Sequence, residues 1–348
     1  MSKSTVKYAN GSYDGEILKD LPHGKGVYIY KNGDEYEGEF KNGQRNGKGT
    51  YYYKTGELYE GDWRADKRDG KGVFTYLDKS KYDGQWSKGL KNGRGLLIDA
   101  NGVSTEVNYR NGVLDGRNTL SFNEGDVFEG TIQKGAPTKG KISFKSGDKY
   151  DGEFKNFQKE GRGVYVTSEG DKYEGTWKNN AKNGRFKITF KNGDKMDGNV
   201  VDDVMDGKVT VTFSEGDKYE GDLLNGKMEG NGKIRFKNGD SYEGEFKDGQ
   251  LDGNGVYNYK NGDKYEGEFK QNLKDGSGKY TYKNGNIYEG EFRNDIPNGK
   301  GVLTFSNGDE FTGLFVDGKL SDGKFYFAKD NITYNKAKLV NDILELEE

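Results

Sequence analysis

His23 is the only histidine in this 348-residue chain, and there is no cysteine. A Ser-His-Asp arrangement or a histidine metal cluster therefore has almost nothing to be built from, and thiolate chemistry has no residue to carry it. His23 stands where later segments carry Asn46, Asp69, Asn92 or Asp252, which reads as a turn position. Carboxylates do recur in pairs, Glu37 with Glu39 and Glu243 with Glu245. Paired acids can hydrolyse glycosides, but the same pair repeated along the chain with no cleft around it reads as a solvated charged face. The glycine-rich run at residues 43–49, GQRNGKG, has the look of a phosphate cradle. A Walker loop needs Gly-Lys-Ser/Thr opening a helix after a strand, and a dinucleotide fingerprint needs a βαβ unit. Neither context exists, so these are turn glycines. No catalytic residue, metal or cofactor is expected.

Basic residues are the next candidates. Lys41, Arg45, Lys48, Arg64, Lys67, Arg68, Lys71, Lys88, Lys91, Arg94, Lys178, Lys182 and Arg185 cluster in what read as the connecting segments of the N-terminal part. The equivalent segments are near neutral beyond about residue 196, and the whole chain carries a net charge of only −3. If these segments emerge along one sheet edge, they form a basic rail. It is either a solubility device or a dock for an anionic protein surface or acidic phospholipid. Nucleic acid is not expected, because the aromatics fall on a core face and the wet face carries glutamates.

The elements that position these groups follow from a repeat. The Tyr-x-Gly-x-aromatic core starts at Tyr13, Tyr36, Tyr59, Tyr82, Thr105, Phe128, Tyr150, Tyr173, Met196, Tyr219, Tyr242, Tyr265, Tyr288 and Phe311, almost always 23 residues apart. In residues 36–40 alternation puts Tyr36, Gly38 and Phe40 on one face and Glu37 and Glu39 on the other. Residues 41–47 read as turn chemistry, followed by a second strand with Gly49, Tyr51 and Tyr53 on the ring face. Asn32-Gly33, Asn238-Gly239, Asn261-Gly262 and Asn284-Gly285 are expected to close hairpins as type I′ turns. Gly38, Gly47 and Gly49 are expected to leave room for rings. With 14% aromatics the chain should fold. A lone hairpin is marginal, so each must stack on the next.

The expected fold is all-β: an elongated single-layer antiparallel β-meander solenoid of tandem 23-residue hairpin repeats, a rod or curved trough. It divides into an N-terminal cap or half repeat over residues 1–12, about fourteen repeats over 13–333, and a degenerate repeat with a C-terminal cap over 334–348. Leu339, Ile343 and Leu346 fall at helical spacing, which predicts a short capping helix. The fifth, sixth and ninth repeats depart from the pattern, with Val107 and Asn118 replacing glycines in the fifth. The N-terminus lacks a secretory signal and no apolar run is long enough to span a membrane, so the expected setting is cytoplasmic.

The segments YEGDWRADKRDGKG from Tyr59 and YEGEFKDGQLDGNG from Tyr242 resemble the MORN (membrane occupation and recognition nexus) repeat. The resemblance implies a non-catalytic scaffold or adaptor with cytoskeletal or ciliary protein partners, as at basal bodies or radial spokes. It also implies a sheet groove that takes helical or extended partner segments; a homodimer is a separate expectation, with the tail at Leu339, Ile343 and Leu346 as a dimerisation element in place of the cap. Peripheral binding to phosphoinositides or other acidic membrane lipids through the basic rail is the alternative. Trp63, Phe74, Trp86, Trp177 and Tyr257 are candidate groove contacts, with packing between repeats as the competing role.

Overall fold

The computed structural model describes residues 2–122, 125–340 and 343–347. The chain resolves into two compact units, residues 1–168 with 177–180, and residues 169–176 with 181–348. Every element described is a β-strand.

In the first unit, eleven strands from Ser2–Tyr8 to Val113–Leu114 form a meander in which each strand hydrogen-bonds its sequence neighbours. Strands from Gly116–Ser121 to Gln158–Val166 follow. The second unit continues the same pattern from Ala181–Thr189 to Ile343–Glu347, again antiparallel and in chain order. One repeat shows how the sequence builds this. Strand Glu35–Lys41 pairs with strand Gln44–Tyr52 through Tyr36 opposite Tyr51 and Gly38 opposite Gly49, with a bulge beyond Gly38. Gly49 then lies opposite Gly61 of the next repeat, and Gly61 opposite Gly72, so paired glycines run across the strands.

Tyrosine rings lie over those glycines. Tyr13, Tyr36, Tyr59 and Tyr82 are fully buried in the first unit, as is Tyr242 in the second. A Cβ placed on Gly49 would come within 2.2 Å of the Tyr36 hydroxyl, and on Gly38 within 2.5 Å of the Gly49 Cα. Tyr36 and Tyr242 each meet an aromatic of their own strand and one of the next repeat edge-on: Tyr36 to Phe40 at 5.0 Å and to Trp63 at 5.3 Å, Tyr242 to Phe246 at 5.2 Å and to Phe269 at 5.1 Å. Such pairs contribute about 0.5–1.5 kcal/mol beyond area burial. Burial pushes the Tyr13, Tyr82, Tyr242 and Tyr288 hydroxyls up to about 12, so these tyrosines stay neutral.

Three expectations are corrected. Strands Ile332–Val340 and Ile343–Glu347 form an antiparallel hairpin in place of the capping helix, with Leu344 and Leu346 packed on the core. Asn341 and Asp342 between them lie outside the described residues. The type I′ turns sit at the opposite hairpin end, at Asn42-Gly43 and Ala65-Asp66, where both residues have positive φ. At Asn32-Gly33 only the glycine is left-handed; Gly33 donates to the Tyr30 carbonyl and Tyr30 to the Asp34 carbonyl, a type I turn with a glycine bulge. Finally, Gly47 does not house a ring. Its φ is +91° and a Cβ there would meet the Glu39 carboxylate at 2.7 Å, so backbone conformation at the bulge demands it.

The fifth repeat breaks the ladder inside the first unit: Ser104–Arg110 pairs with Val113–Leu114 and Gly116–Ser121 pairs with Val127–Gln133, but Ser104–Arg110 and Gly116–Ser121 are not paired with each other. Val107 and Asn118 occupy the places of two glycines whose counterparts leave no room for side chains. Asn118 is the buried polar side chain here, 2% exposed; its Oδ1 accepts from the Asn108 amide at 2.7 Å and its Nδ2 donates to the Gly116 carbonyl at 3.0 Å. Side-chain amide bonds thus stand in where the backbone ladder is wedged open.

Candidate functional site

The basic residues expected on one edge separate into three sets, because the turn is two residues long and most of the supposed turn segment is strand. Lys41, Arg64, Lys67 and Lys178 flank the two-residue turns, Lys88 stands in one, and all five are exposed, Arg64 lying 3.5 Å from Asp69. Arg45, Arg68, Lys91 and Lys182 fold back over aromatic rings. The Arg45 guanidinium sits 4.4 Å from the Trp63 ring centroid and 5.0 Å from that of Tyr51, and its Nε lies 3.1 Å from Asp66. Arg68 lies 4.2 Å from Trp86 and donates to the Gly89 carbonyl at 2.9 Å. Lys91 reaches the Tyr76 hydroxyl at 2.6 Å, and in the second unit Lys182 lies 5.2 Å from Tyr173 and 2.8 Å from Asp203. Lys48, Lys71, Arg94 and Arg185 point to the wet face, where Lys48 meets Asp62 at 2.7 Å and Arg185 meets Asp197 at 2.6 Å. The ring-stacked set is part of the fold, each cation contributing about 0.5–2 kcal/mol.

The aromatic candidates divide as well. Trp63, Trp86 and Trp177 are about 5% exposed, and their indole N–H groups donate to the carbonyls of Gly49, Gly72 and Gly163 at 3.0–3.2 Å. Phe74 and Tyr257 are half-buried and belong to a second row of rings. In the first unit this row runs Tyr28, Tyr30, Tyr51, Tyr53, Phe74, Tyr76 with successive centroids 4.5–5.8 Å apart. In the second it runs Phe236, Tyr257, Tyr259, Tyr280, Tyr282 over the same spacings. Alternation in the sequence puts Tyr51 and Tyr53 on the ring face, but only Phe74 and Tyr257 of these two rows stand among the expected groove contacts; the aromatic-x-aromatic spacing of YYY at 51–53 and YNY at 257–259 signals the others.

Aspartates fasten this row. Asp34 accepts from the Tyr51 hydroxyl at 2.7 Å and from the Lys54 amide at 2.9 Å, and Asp263 accepts from Tyr280 and Lys283 at 2.9 and 2.8 Å. The backbone amide first, with the neighbouring Asn side chain and tyrosine, holds both carboxyls below the usual range against partial desolvation. His23 stands in strand Leu21–Tyr30 and not in a turn as expected; its Nδ1 accepts from the Asn42 amide in the turn of the next repeat at 3.4 Å, the place filled by Asp69 toward Lys88 and Asn92 toward Asn111. The paired glutamates have separate tasks, since Glu39 accepts from the Lys48 amide at 3.0 Å while Glu37 is exposed.

A family model described as the MORN repeat matches residues 13–35, 36–57, 59–81, 82–104, 150–172, 173–195, 219–241, 242–264, 265–287 and 288–310. The chain belongs to the MORN repeat family. The MORN matches skip residues 105–149, 196–218 and 311–333, which nonetheless form strands, among them Val127–Gln133, Val204–Thr212 and Glu310–Val316. No curated protein matches the chain. Among solved structures, the TCP domain of SAS-4 (dCPAP) from Drosophila melanogaster, in complex with a proline rich motif of Ana2 (dSTIL), is 13% identical with a TM-score of 0.30. The alignment covers 53% of this MORN chain and 90% of that one. The CPAP G-box domain is 11% identical with a TM-score of 0.24, over 67% of this chain and all of that one. The TCP10 domain of Danio rerio CPAP is 10% identical with a TM-score of 0.17, over 84% and 98%.

Proposed function

We propose that the chain is a non-catalytic scaffold that holds protein segments along its sheet within a cytoskeletal or ciliary assembly of the cytoplasm. The half-buried ring row carries this reading. Tyr30, Tyr53 and Tyr76 in the first unit and Tyr259 and Tyr282 in the second keep part of each ring at the surface beside a core already completed by the buried row. Partly exposed tyrosines on a rigid sheet supply broad contact area at low conformational cost, the property that enriches them at interfaces. Among the described residues no group of three His, Asp or Glu side chains is placed to hold a metal ion.

The test replaces Tyr30, Tyr53 and Tyr76 together by Ser, leaving the buried row intact. Affinity capture from the native cell should lose its stoichiometric proteins with this variant. Capture of the same set at the same yield would sink the reading. A second reading, peripheral binding to acidic lipid, rests on the exposed Lys41, Arg64, Lys67, Lys88 and Lys178. Flotation with phosphoinositide vesicles at physiological salt decides it, and no flotation removes it.

A further inference from the structure

The second residue of the second strand of each hairpin lies over the ring face. Arg45 stands there opposite Phe40, and Arg68 opposite Trp63. The Arg45 guanidinium covers the cross-strand pair Tyr36 and Tyr51, and that of Arg68 covers Tyr59 and Phe74. Lys159 and Lys274 cover Tyr150 with Tyr165 and Tyr265 with Tyr280. Long apolar side chains take the same place elsewhere, as at Met228 and Leu251. Proline takes it three times, at Pro22, Pro137 and Pro297, opposite Ile17, Ile132 and Phe292. Its pyrrolidine ring closes back on its own backbone and does not reach across a ring pair as arginine does.

Of the three prolines, Pro22 alone leaves an aromatic pair uncovered. Tyr13 lies opposite Tyr28, whereas Phe128 lies opposite Ile142 and Tyr288 opposite Leu303. Beside Pro22 there is a cavity of about 430 Å³ whose walls include Tyr8, Tyr28, Tyr30, Phe40 and Gly43. The Tyr28 ring centroid lies 4.5 Å from that of Tyr30 and 6.0 Å from that of Tyr8, and Phe40 meets Tyr13 edge-on at 5.1 Å. The first repeat thus keeps the rings that receive a cation in the second and third, without the side chain that supplies it.

The neighbouring repeats show which cation fits. The second turn residue of the following repeat offers a carboxylate to Arg45, Lys182 and Lys274, from Asp66, Asp203 and Asp295 at 3.1, 2.8 and 3.5 Å. Lys91 bonds the Tyr76 hydroxyl, while Tyr8, the ring in the corresponding place of the first repeat, gives its hydroxyl to the Asp20 carbonyl. Arg68 has neither: its turn residue is Gly89, whose carbonyl it reaches at 2.9 Å, and among the described residues it makes no ion pair. Gly43 is the counterpart of Gly89 in front of Pro22, and it lines the cavity. Arg45 lines it too, with its charge matched by Asp66. Successive cations one repeat apart, about 9.6 Å, are already present in Arg45 and Arg68. A guanidinium is more weakly hydrated than an ammonium, stacks on rings and donates to carbonyls in its plane. We propose that the cavity beside Pro22 takes the guanidinium of an arginine side chain from a partner protein, stacked on Tyr28 and donating to the Gly43 carbonyl. The source of that arginine rests on the scaffold reading; the chemistry of the pocket does not.

The full chain, isotope-labelled at tyrosine, is titrated with N-acetyl-arginine amide, N-acetyl-lysine amide and the neutral N-acetyl-citrulline amide while the Tyr28 and Tyr30 signals are followed by NMR. The arginine amide should shift both signals saturably and bind at least about fivefold more tightly than either of the others. Pro22→Arg should abolish the response, because its own side chain fills the cavity as Arg45 fills the next place. Gly43→Asp supplies the missing carboxylate. Its φ of +83° lies in the region that Asp66 occupies at +64°, and the nearest atom to the new Cβ is on Leu21 at 3.4 Å. This variant should bring the lysine amide to within about twofold of the arginine amide. Circular dichroism confirms that each variant is folded. Equal affinity for the arginine and citrulline amides, an undiminished response in folded Pro22→Arg, or a Gly43→Asp variant that still rejects the lysine amide overturns the proposal. If the wild type binds the arginine amide but Pro22→Arg captures the same proteins from the native cell at the same yield, a partner arginine is overturned as the occupant, and the scaffold reading keeps its own test.

Discussion

Gly72→Ala tests whether rings seated on paired glycines hold the repeats together. The added Cβ would lie 2.2 Å from the Tyr59 hydroxyl and 2.4 Å from its Cζ, and Tyr59 is fully buried between Trp63 at 5.2 Å and Trp86 at 5.3 Å. The ring cannot yield without losing both edge-on contacts. Overpacking costs about 1–3 kcal/mol, and each displaced ring pair adds up to about 1 kcal/mol, so a loss on the order of 3 kcal/mol is expected. Gly89→Ala is the control: its φ is +88° but nothing lies within 4 Å of the new Cβ, so only the left-handed penalty of about 1–2 kcal/mol applies. Urea unfolding followed by tryptophan fluorescence reads the effect, since Trp63 and Trp86 flank the site, and hydrogen exchange should show the loss centred on strands Leu58–Arg64 and Lys67–Thr75. In a Tyr59→Ala background the cost of Gly72→Ala should fall below about 1 kcal/mol. An undiminished cost in that background, or a single-variant cost under about 0.5 kcal/mol, would refute the ring-on-glycine account.

Further outcomes follow from the same geometry. Arg68→Ala should destabilise by about 1–2 kcal/mol in urea and shift the emission of Trp86, over which the guanidinium sits. Asp34 and Asp263 have carboxyls held below the ordinary 3.8, so their contribution is complete above the usual carboxylate range and is lost as pH falls through their lowered values; thermal melts from pH 5 to pH 2 should show a shallower decline for Asp34→Asn with Asp263→Asn. His23→Asn should change stability by less than about 0.5 kcal/mol, because asparagine supplies the same acceptor at Asn92, and a larger loss by urea titration would give His23 a role beyond the turn. Val107→Gly with Asn118→Gly should close the broken ladder, seen as slower amide exchange at residues 105–108 and 119–121.

Most of the repeat was readable because two signals coincide in every copy. Alternation assigns Tyr36, Gly38 and Phe40 to one face, and the 23-residue period shows that the next hairpin must cover it. Where the signals are degenerate, spacing alone does not decide the element. Leu339, Ile343 and Leu346 satisfy a helical spacing, while Leu344 and Leu346 satisfy a strand alternation in the same few residues, and pairing with residues 336–340 decided for the strand. Asn-Gly occurs at both ends of a hairpin, at 32–33 and 42–43, and composition does not say which pair has positive φ at both residues. Placing the tight turn at 32–33 lengthens the connecting segment and puts Arg45 and Lys48 on one edge, whereas strand alternation sends Arg45 to the rings and Lys48 to the opposite face. The departures at Val107 and Asn118 were visible in the sequence, but their effect on the ladder needed the distance between facing glycines.

The account turns on a sheet that holds other proteins and performs no chemistry of its own. Cross-linking mass spectrometry in the native cell measures this most directly, because lysines reach both the turn edge and the wet face. The account predicts stoichiometric cross-links from Lys48, Lys67 and Lys71 to segments of a small, fixed set of proteins, lost when Tyr30, Tyr53 and Tyr76 are replaced. A chain whose cross-links are confined to itself, in wild type as in the variants, would contradict it.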